Sequence, residues 1–246
     1  MTNIERYIIM KSKLLVSGCS WTHGHQDNLD YLLWPEILSQ RLGLECLNLG
    51  QRGCGNEYIF SRIYDTVMQR DDIAAVVVMW TDYFRMDFDL FRGSKFPKQI
   101  KYPDIETLFD WPYDKRSAKG VSEKSVRFVF ILQSLFENLQ IPYLQLSGLR
   151  PINTPRPINV NTKKTRRSLI RDCVYTMIDT QYDINKKYMY WPPINEIGGN
   201  TMWDKLDEVD PERVKLRVSS EDSHPNGRGH KFMADLIYDE YQKIYL

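Results

Sequence analysis

The sequence predicts an α/β protein, a three-layer α/β/α sandwich built on a parallel sheet of four to five strands. Short apolar runs alternate with segments of helical periodicity over the first third of the chain. A run that is apolar throughout, as at 74–80, is typical of a parallel strand covered by helices on both faces. An amphipathic segment at the end of the chain, 229–245, supplies one of the covering helices.

The first part of the chain supplies three strands and two helices in alternation. Trp34–Leu42 has helical spacing, with Pro35 in its first turn and Gly43 just after its end, which are helix start and stop signals. Residues 57–70 have the same periodicity. The strands fall at 13–18, 45–49 and 74–80. This β-α-β-α-β order favours strands that run parallel.

The second part of the chain adds one helix and one strand to this core. A helix at 122–139 begins with Ser122 as its cap and leads into a strand at 142–147. Segments 85–120 and 148–211 lack steady periodicity, apart from a helix at 165–180, and we interpret both as insertions over the carboxyl edge of the sheet. We expect one domain over 1–246, with residues 1–9 as an extension outside the fold.

The composition of the chain disfavours some classes of binding partner. The chain has 246 residues and a formal charge of +1, which provides no broad attraction to nucleic acid or to an anionic membrane. No apolar stretch near the start is long enough for a signal peptide or a membrane span. The cysteines lack the short paired spacing of a zinc site and fit a reducing compartment, so we expect a cytoplasmic protein. They are Cys19, Cys46, Cys54 and Cys173.

The chemistry-bearing residues lie at the two ends of the chain. Ser20 follows the first strand directly, on a turn that projects above the carboxyl edge where α/β proteins bind ligands. A serine hydroxyl needs a base within hydrogen-bond reach to act as a nucleophile. His224 precedes the last helix and is such a base, with Glu221 or Asp222 to hold its tautomer and stabilise the imidazolium. The choice of acid stays open, with Glu221 placed first.

Three motifs in order resemble the SGNH hydrolase superfamily of GDSL-like esterases. They are Gly-x-Ser-x-Thr at 18–22, Asn-x-Gly-x-x-Gly at 48–53, and an acid three residues before His224-Pro225. The resemblance covers nearly the whole chain and implies a flavodoxin-like parallel sheet and an ester hydrolase without a cofactor. It also implies that Ser20 is the nucleophile, and that the amides of Ser20 and Gly53 stabilise the oxyanion.

The third motif of the family differs here. Members carry Gly-x-Asn-Asp after the third strand, whereas this chain has Trp80-Thr81-Asp82, which puts a carboxylate in place of the asparagine. An ionised carboxylate cannot donate a hydrogen bond to an oxyanion. Either Asp82 stays protonated or it pairs with Arg52 or Arg85, and we favour an arginine as the replacement donor. Cys19 also replaces the aspartate of the Gly-Asp-Ser motif.

Several other features have weaker interpretations. His23, His25 and Asp27 could suggest a metal site, but alternate residues in such a turn usually face solvent, and we predict no metal. His230 is expected to be structural, and the basic residues at 163–167 a solvated helix start. Aromatic residues near the insertions could form a wall for a sugar or acyl group. They are Trp80, Tyr83, Phe84, Trp111, Tyr113, Tyr190 and Trp191.

The expected function is a serine ester hydrolase that acts on a small-molecule or carbohydrate ester. Two alternatives remain open: an acyltransferase that uses the same residues, and a non-catalytic binding or structural protein in which Asp82 and Cys19 mark lost chemistry. The sequence does not determine the oligomeric state.

Overall fold

Four parallel strands form the central sheet: β1 Lys13–Ser17, β2 Glu45–Asn48, β3 Ile73–Trp80 and β4 Tyr143–Ser147. They pair in the order β2-β1-β3-β4 in the computed structural model, which describes residues 11–83, 85, 87, 115–151 and 166–246. The register aligns Leu15 of β1 with Leu47 of β2 and Val76 of β3. The predicted parallel sheet is confirmed.

The described helices flank these strands in the predicted order, with bounds that differ from the predictions by a few residues at most ends. The long helix before β4 starts seven residues before its predicted start of 122. They are α1 Ser20–His23, α2 Trp34–Leu42, α3 Asn56–Gln69, α4 Lys115–Asn138, α5 Arg166–Ile178, α6 Met202–Val209 and α7 Gly227–Tyr245, with a 3₁₀ turn at Asn195–Ile197. The short α1 and the whole of α6 were not expected from periodicity.

The helices cover both faces of the sheet, which confirms the α/β/α layering. The chain moves from β1 outward to β2 through α2, and returns across β1 to β3 through α3. Right-handed crossovers in opposite directions put their helices on opposite faces. Accordingly, α2 packs against α7, and α3 packs against α4. The two crossovers diverge at the carboxyl ends of β1 and β3, the place where ligands bind in sheets of this kind.

The core lies around β1 and β3. Leu14, Leu15 and Val16 are fully buried one after another, and so are Val76 to Met79 in β3. Successive strand residues point to opposite faces, so these two strands are buried on both. Each fully buried aliphatic side chain contributes about 1.5–3 kcal/mol relative to an exposed one. The strand ends that carry the candidate site therefore belong to the two strands with fully buried runs on both faces.

The segment 148–211 differs from the expected insertion. Residue Tyr188 forms a parallel bridge to Gln145 of β4 and so extends the sheet edge beyond its fourth strand. Met202 and Leu206 of α6 are fully buried in the main core. The last part of this segment therefore belongs to the core, because α6 is amphipathic and packs against the sheet.

The other predicted boundaries are only partly within the described residues. The extension at 1–9 and most of the segment 85–120 lie outside them, and α4 already begins at Lys115. Within the described ranges, no helix combines the length and the apolar character that crossing a membrane requires.

Candidate active site

Ser20 stands at the carboxyl end of β1, as the first residue of α1. The turn before it passes close to β3, because a side chain at Gly18 would lie 2.1 Å from Thr22 Oγ1 and 3.1 Å from the carbonyl oxygen of Met79. The amides of Thr22 and His23 donate to the Cys19 carbonyl and close the short helix. Ser20 is thus held in a tight turn above the sheet, with 9% of its surface exposed.

His224 lies in a loop that is paired with an upstream segment. The amide of Val218 donates to the His224 carbonyl at 2.9 Å, and Arg217 forms an antiparallel bridge with Pro225. Asn226 then caps α7, since its Oδ1 accepts from two amides of the first turn while its Nδ2 donates to the Arg217 carbonyl at 2.7 Å. The pairing and the cap together fix the backbone on both sides of the histidine.

Three side chains form a hydrogen-bonded chain across the carboxyl edge. Ser20 Oγ lies 2.9 Å from His224 Nε2, and His224 Nδ1 lies 2.5 Å from Asp222 Oδ1. The same carboxylate oxygen accepts the backbone amide of His224 at 3.0 Å. An ionised Asp222 accepts from Nδ1–H, which leaves Nε2 unprotonated and able to accept the serine proton. This is the relative placement of a nucleophile, a base and an orienting acid.

The charge on Asp222 is favoured by its surroundings. Burial raises the pKa of this carboxyl, but hydrogen bonds from the backbone and ring of His224 outweigh burial and hold the pKa below its ordinary value. Asp222 is therefore ionised at neutral pH and complements an imidazolium at His224.

Asp222, rather than Glu221, contacts the histidine, so the order in which the sequence ranked the two acids is corrected. Asp222 folds back over the turn, because its short side chain can accept from both the amide and the ring two residues later. Glu221 is exposed, and its described hydrogen bond is from its backbone amide to Ser219 Oγ at 3.3 Å.

The glycine loop after β2 lies against the nucleophile turn. The amide of Gln51 donates to the Gly18 carbonyl at 2.9 Å, and Asn48 Nδ2 donates to the Thr22 carbonyl at 2.8 Å. Gly53 in this loop has a φ of 72°, in the left-handed region that favours glycine. Within the described residues, the backbone hydrogen bonds use neither the Ser20 amide nor the Gly53 amide.

The two arginines considered as partners of Asp82, Arg52 and Arg85, both have other described contacts. Arg52 pairs instead with Asp27, at 2.6 Å, and donates to the Gly24 carbonyl. Asp82 is buried, and its carbonyl accepts the backbone amide of Arg85 at 3.3 Å. The Arg85 guanidinium donates to the carbonyl of Cys54, the residue after Gly53. Arg52 is thus part of the glycine loop and pairs away from Asp82, whereas Arg85 contacts the loop from outside through the Cys54 carbonyl.

Trp80 is a core residue, which corrects its expected place in a substrate-binding wall. It is 1% exposed, and its indole Nε1 donates to Gln145 Oε1 at 3.0 Å. As the last residue of β3 it points into the packed face of the sheet. Tyr83 is also buried, in a second cluster with Cys173. The expected wall members Phe84, Trp111 and Tyr113 lie outside the described residues.

Asn56 is a site-supporting residue that the sequence reasoning missed. Its Oδ1 accepts the Thr81 amide at 2.9 Å, while its Nδ2 donates to the Thr81 carbonyl at 3.2 Å and to Ser125 Oγ at 3.3 Å. It thus ties the start of α3 to the end of β3. Its position directly after the glycines of the loop was the available signal.

His25 also lies in the site, contrary to the expectation that it faces solvent. Its ring stacks on the His224 ring with centroids 5.5 Å apart, and its Nδ1 lies 3.5 Å from the Tyr31 hydroxyl. Burial lowers the pKa of His25, and the nearby charge of His224 lowers it further. His25 therefore presents a neutral ring beside the candidate base. Within the described residues, no group of His, Cys, Asp and Glu side chains is arranged to hold a metal ion.

His230 is buried in α7, behind the site. Its Nδ1 accepts the Trp34 amide at 3.4 Å, at the start of α2. Burial lowers the pKa of His230 to about 3. It is a neutral, structural residue that connects α7 to α2.

The sheet order and the position of the serine and histidine define the class of fold. A doubly wound parallel sheet, with a serine on the turn after the first strand and a histidine just before the last helix, is the arrangement that the resemblance to the SGNH hydrolase superfamily implies. No protein-family model and no curated protein sequence matches the chain.

Several solved structures are similar over most of the chain. One is a protein assigned to the lipolytic G-D-S-L family from Desulfitobacterium hafniense DCB-2, with 13% identity and a TM-score of 0.49, covering 93% of this chain and 99% of that one. Another is LAE5, an α/β hydrolase from the metagenome of Lake Arreo, with 16% identity and a TM-score of 0.47, covering 96% and 97%. Similarities of this size carry no information about the activity of this chain.

Proposed function

We propose that this chain is a serine ester hydrolase with Ser20 as nucleophile, His224 as general base and Asp222 as the orienting acid. The observation that carries the proposal is the hydrogen-bonded chain from Ser20 Oγ through His224 to Asp222, with distances of 2.9 and 2.5 Å. Nucleophilic catalysis by serine requires a base within about 2.6–3.2 Å, with that base held by a third group. The described geometry meets both conditions.

In the acylation step, Ser20 Oγ attacks the ester carbonyl carbon and its proton moves to His224 Nε2. The resulting tetrahedral intermediate collapses as His224 returns the proton to the leaving alkoxide. The bond from carbon to the alcohol oxygen breaks, the alcohol departs, and an acyl-serine ester remains. Asp222 stabilises the imidazolium in between, without taking the proton itself.

In the deacylation step, water takes the place of the alcohol. His224 Nε2 removes a proton from the water as its oxygen attacks the acyl carbon, and then returns that proton to Ser20 Oγ. The bond between Ser20 and the acyl group breaks and the free acid leaves. The cycle consumes one ester and one water, and it requires no cofactor.

The oxyanion is stabilised by the amides of Ser20 and Gly53, both of which are unused by the backbone of the described residues. Asp82 replaces the asparagine that completes this arrangement in the resembling family. Loss of one such donor lowers kcat by about 10²–10³-fold. We infer that Arg85 compensates in part, because it is bonded to the glycine loop at the Cys54 carbonyl and brings a positive charge there.

The substrate class that fits best is a small-molecule ester. Of the aromatic residues considered as a carbohydrate-binding wall, Trp80 and Tyr83 are buried in the core, Tyr190 and Trp191 are half-buried, and the other three lie outside the described residues. The exposed rim next to His224 is instead formed by the neutral ring of His25 and by Asp222, which is 41% exposed at its side chain. A negatively charged acyl group next to Asp222 is disfavoured.

The decisive experiment is labelling with a fluorophosphonate probe, together with turnover of short p-nitrophenyl esters. The native chain should label and turn over, and Ser20→Ala should do neither. Ser39→Ala is the matched control, because this serine lies in α2 and its hydroxyl donates to the Glu36 carbonyl, away from the site. It should behave like the native chain.

Two results would change the assignment. Absence of labelling in the native chain, or equal labelling in Ser20→Ala, would refute the hydrolase and favour a binding protein. Turnover that appears only when an acceptor alcohol is added would favour an acyltransferase.

A further inference from the structure

Arg217 is a buried cation that the proposed reaction leaves unused. Its side chain is 0% exposed, and it is one of the largest fully buried side chains of the described residues. Burial lowers the pKa of Arg217, and a hydrogen bond to Asp207 at 3.1 Å partly offsets this effect. An arginine nevertheless keeps its charge in a protein. A buried charge is costly, so its contacts require an explanation.

The first set of contacts reaches the loop that carries the candidate base. Arg217 Nη1 donates to the carbonyl of Ser223 at 2.8 Å. Ser223 stands between Asp222 and His224, so this bond fixes the peptide unit that joins the acid to the base. The backbone of Arg217 also accepts from Asn226 Nδ2, on the other side of the histidine.

The second set of contacts reaches the nucleophile turn. The guanidinium carbon lies 4.7 Å from the ring centroid of Trp21 and 4.8 Å from that of Trp203. Trp21 follows Ser20 in α1, and its ring stacks on Trp203 with centroids 5.5 Å apart. Arg217 Nη2 donates to the Trp203 carbonyl at 3.2 Å. Cation–π contacts of this kind are stronger when both partners are desolvated.

We propose that Arg217 is a positioning residue that sets the distance between Ser20 and His224, by a hydrogen bond to the segment that carries the histidine and a ring contact with the segment that carries the serine. This inference rests on the proposed ester hydrolase function. Ser20 and His224 are 204 residues apart in the sequence. The hydrogen bond between them therefore requires that the two loops that carry them stay at a fixed distance in space. Arg217 joins these loops through one planar, multidentate group, which a lysine cannot reproduce.

Arg213 provides the matched control. It also pairs with Asp207, through Nη2 at 2.8 Å, and its guanidinium carbon lies 5.0 Å from the Trp203 ring. Its described contacts do not include Ser223 or Trp21. Arg213, which is 34% exposed, therefore shares an ion-pair partner and a ring contact with Arg217 and lacks the link between the two loops.

The test compares Arg217→Lys with Arg213→Lys in the full chain, using kcat and KM for p-nitrophenyl acetate together with thermal unfolding. Misplacement of reacting groups by about 1 Å lowers rates by up to about 10²-fold. We expect Arg217→Lys to lower kcat by about 10–100-fold with KM changed less than about threefold, which is the pattern of a lost transition-state interaction. Arg213→Lys should keep kcat within about twofold.

A second readout does not depend on turnover. The Nδ1–H proton of His224 in its bond to Asp222 is expected as a downfield proton NMR resonance in the native chain, to be assigned by its loss in His224→Gln. This resonance should shift or broaden in Arg217→Lys and stay unchanged in Arg213→Lys. If the native chain proves inactive while the resonance responds in this way, the hydrolase proposal fails and the positioning role stands.

A folded Arg217→Lys with native kcat and a native resonance would overturn the positioning role. If this variant does not fold, Trp21→Leu replaces it, because it removes the ring contact and leaves the hydrogen bonds of Arg217 in place. An unchanged kcat in a folded Trp21→Leu would equally overturn the inference.

Discussion

Replacing Asp222 by asparagine tests whether Asp222 is the acid of the hydrogen-bonded chain from Ser20 through His224. Asp222 Oδ1 accepts both the amide and the ring Nδ1–H of His224, at 3.0 and 2.5 Å. An asparagine that keeps its Oδ1 in this place can accept both hydrogen bonds and hold the ring, but it carries no charge. The expected loss is therefore that of the negative charge that stabilises the imidazolium when His224 takes the proton of Ser20.

The size of the effect follows from the exposure of the pair. Where the same change at a buried acid also forces the wrong tautomer of the histidine, kcat falls by about 10⁴-fold, which is an upper bound for Asp222→Asn. The side chains of Asp222 and His224 are 41% and 33% exposed, so water screens part of the interaction. We therefore expect a kcat lower by about 10²–10³-fold, equivalent to about 2.7–4.1 kcal/mol of transition-state stabilisation.

The assay is the initial rate of p-nitrophenyl acetate hydrolysis at pH 7.5, with thermal unfolding to verify the fold. Glu221→Gln is the control. It also removes one negative charge, at the neighbouring residue, whose side chain does not contact the His224 ring. It should retain at least half of the native kcat. If Glu221→Gln lost as much activity as Asp222→Asn, or Asp222→Asn kept native activity, the assignment of the acid from geometry would be refuted.

Two further predictions concern stability. Burial lowers the pKa of His230 to about 3 from an ordinary 6.5, so the folded state binds this proton more weakly than the unfolded state does. The free energy of unfolding should therefore fall as the pH drops below 6.5, by about 1.4 kcal/mol per pH unit. His230→Gln should remove about 2.3 kcal/mol of the loss between pH 6.5 and 4.5, measured by urea unfolding. Gly53→Ala and Gly43→Ala should each lose about 1–2 kcal/mol of stability, because both glycines have a left-handed φ (72° and 66°) with no atom within 4 Å of an added Cβ. Only Gly53→Ala should also lower kcat, by about tenfold or more, since its amide is a proposed oxyanion donor.

Each of these predictions has an outcome that contradicts it. A pH dependence that is the same in His230→Gln and in the native chain would show that another group causes the acid destabilisation. Equal kcat values for Gly53→Ala and Gly43→Ala, at equal stability loss, would exclude the Gly53 amide from the oxyanion site.

The order of strands and helices could be predicted from the sequence because it depends on local patterns. The bounds of α2 were predicted to the residue, since Pro35 and Gly43 are chemical signals for its two ends. The short α6 was missed, because a helix of eight residues has too few turns to show a periodicity within a segment rich in Pro and Asn. Its burial depends on the sheet it packs against, and local sequence does not contain that information.

The candidate site divides in the same way. The sequence by itself determined that Ser20 and Gly53 follow strands and that His224 precedes the last helix. Because parallel strands bring their carboxyl ends to one edge of the sheet, these residues were expected at that edge. The tertiary structure decided which acid reaches His224, that Trp80 points into the core, and that His25 stacks on the base. These outcomes depend on side-chain directions and on contacts between segments far apart in the chain, which only the packed fold determines.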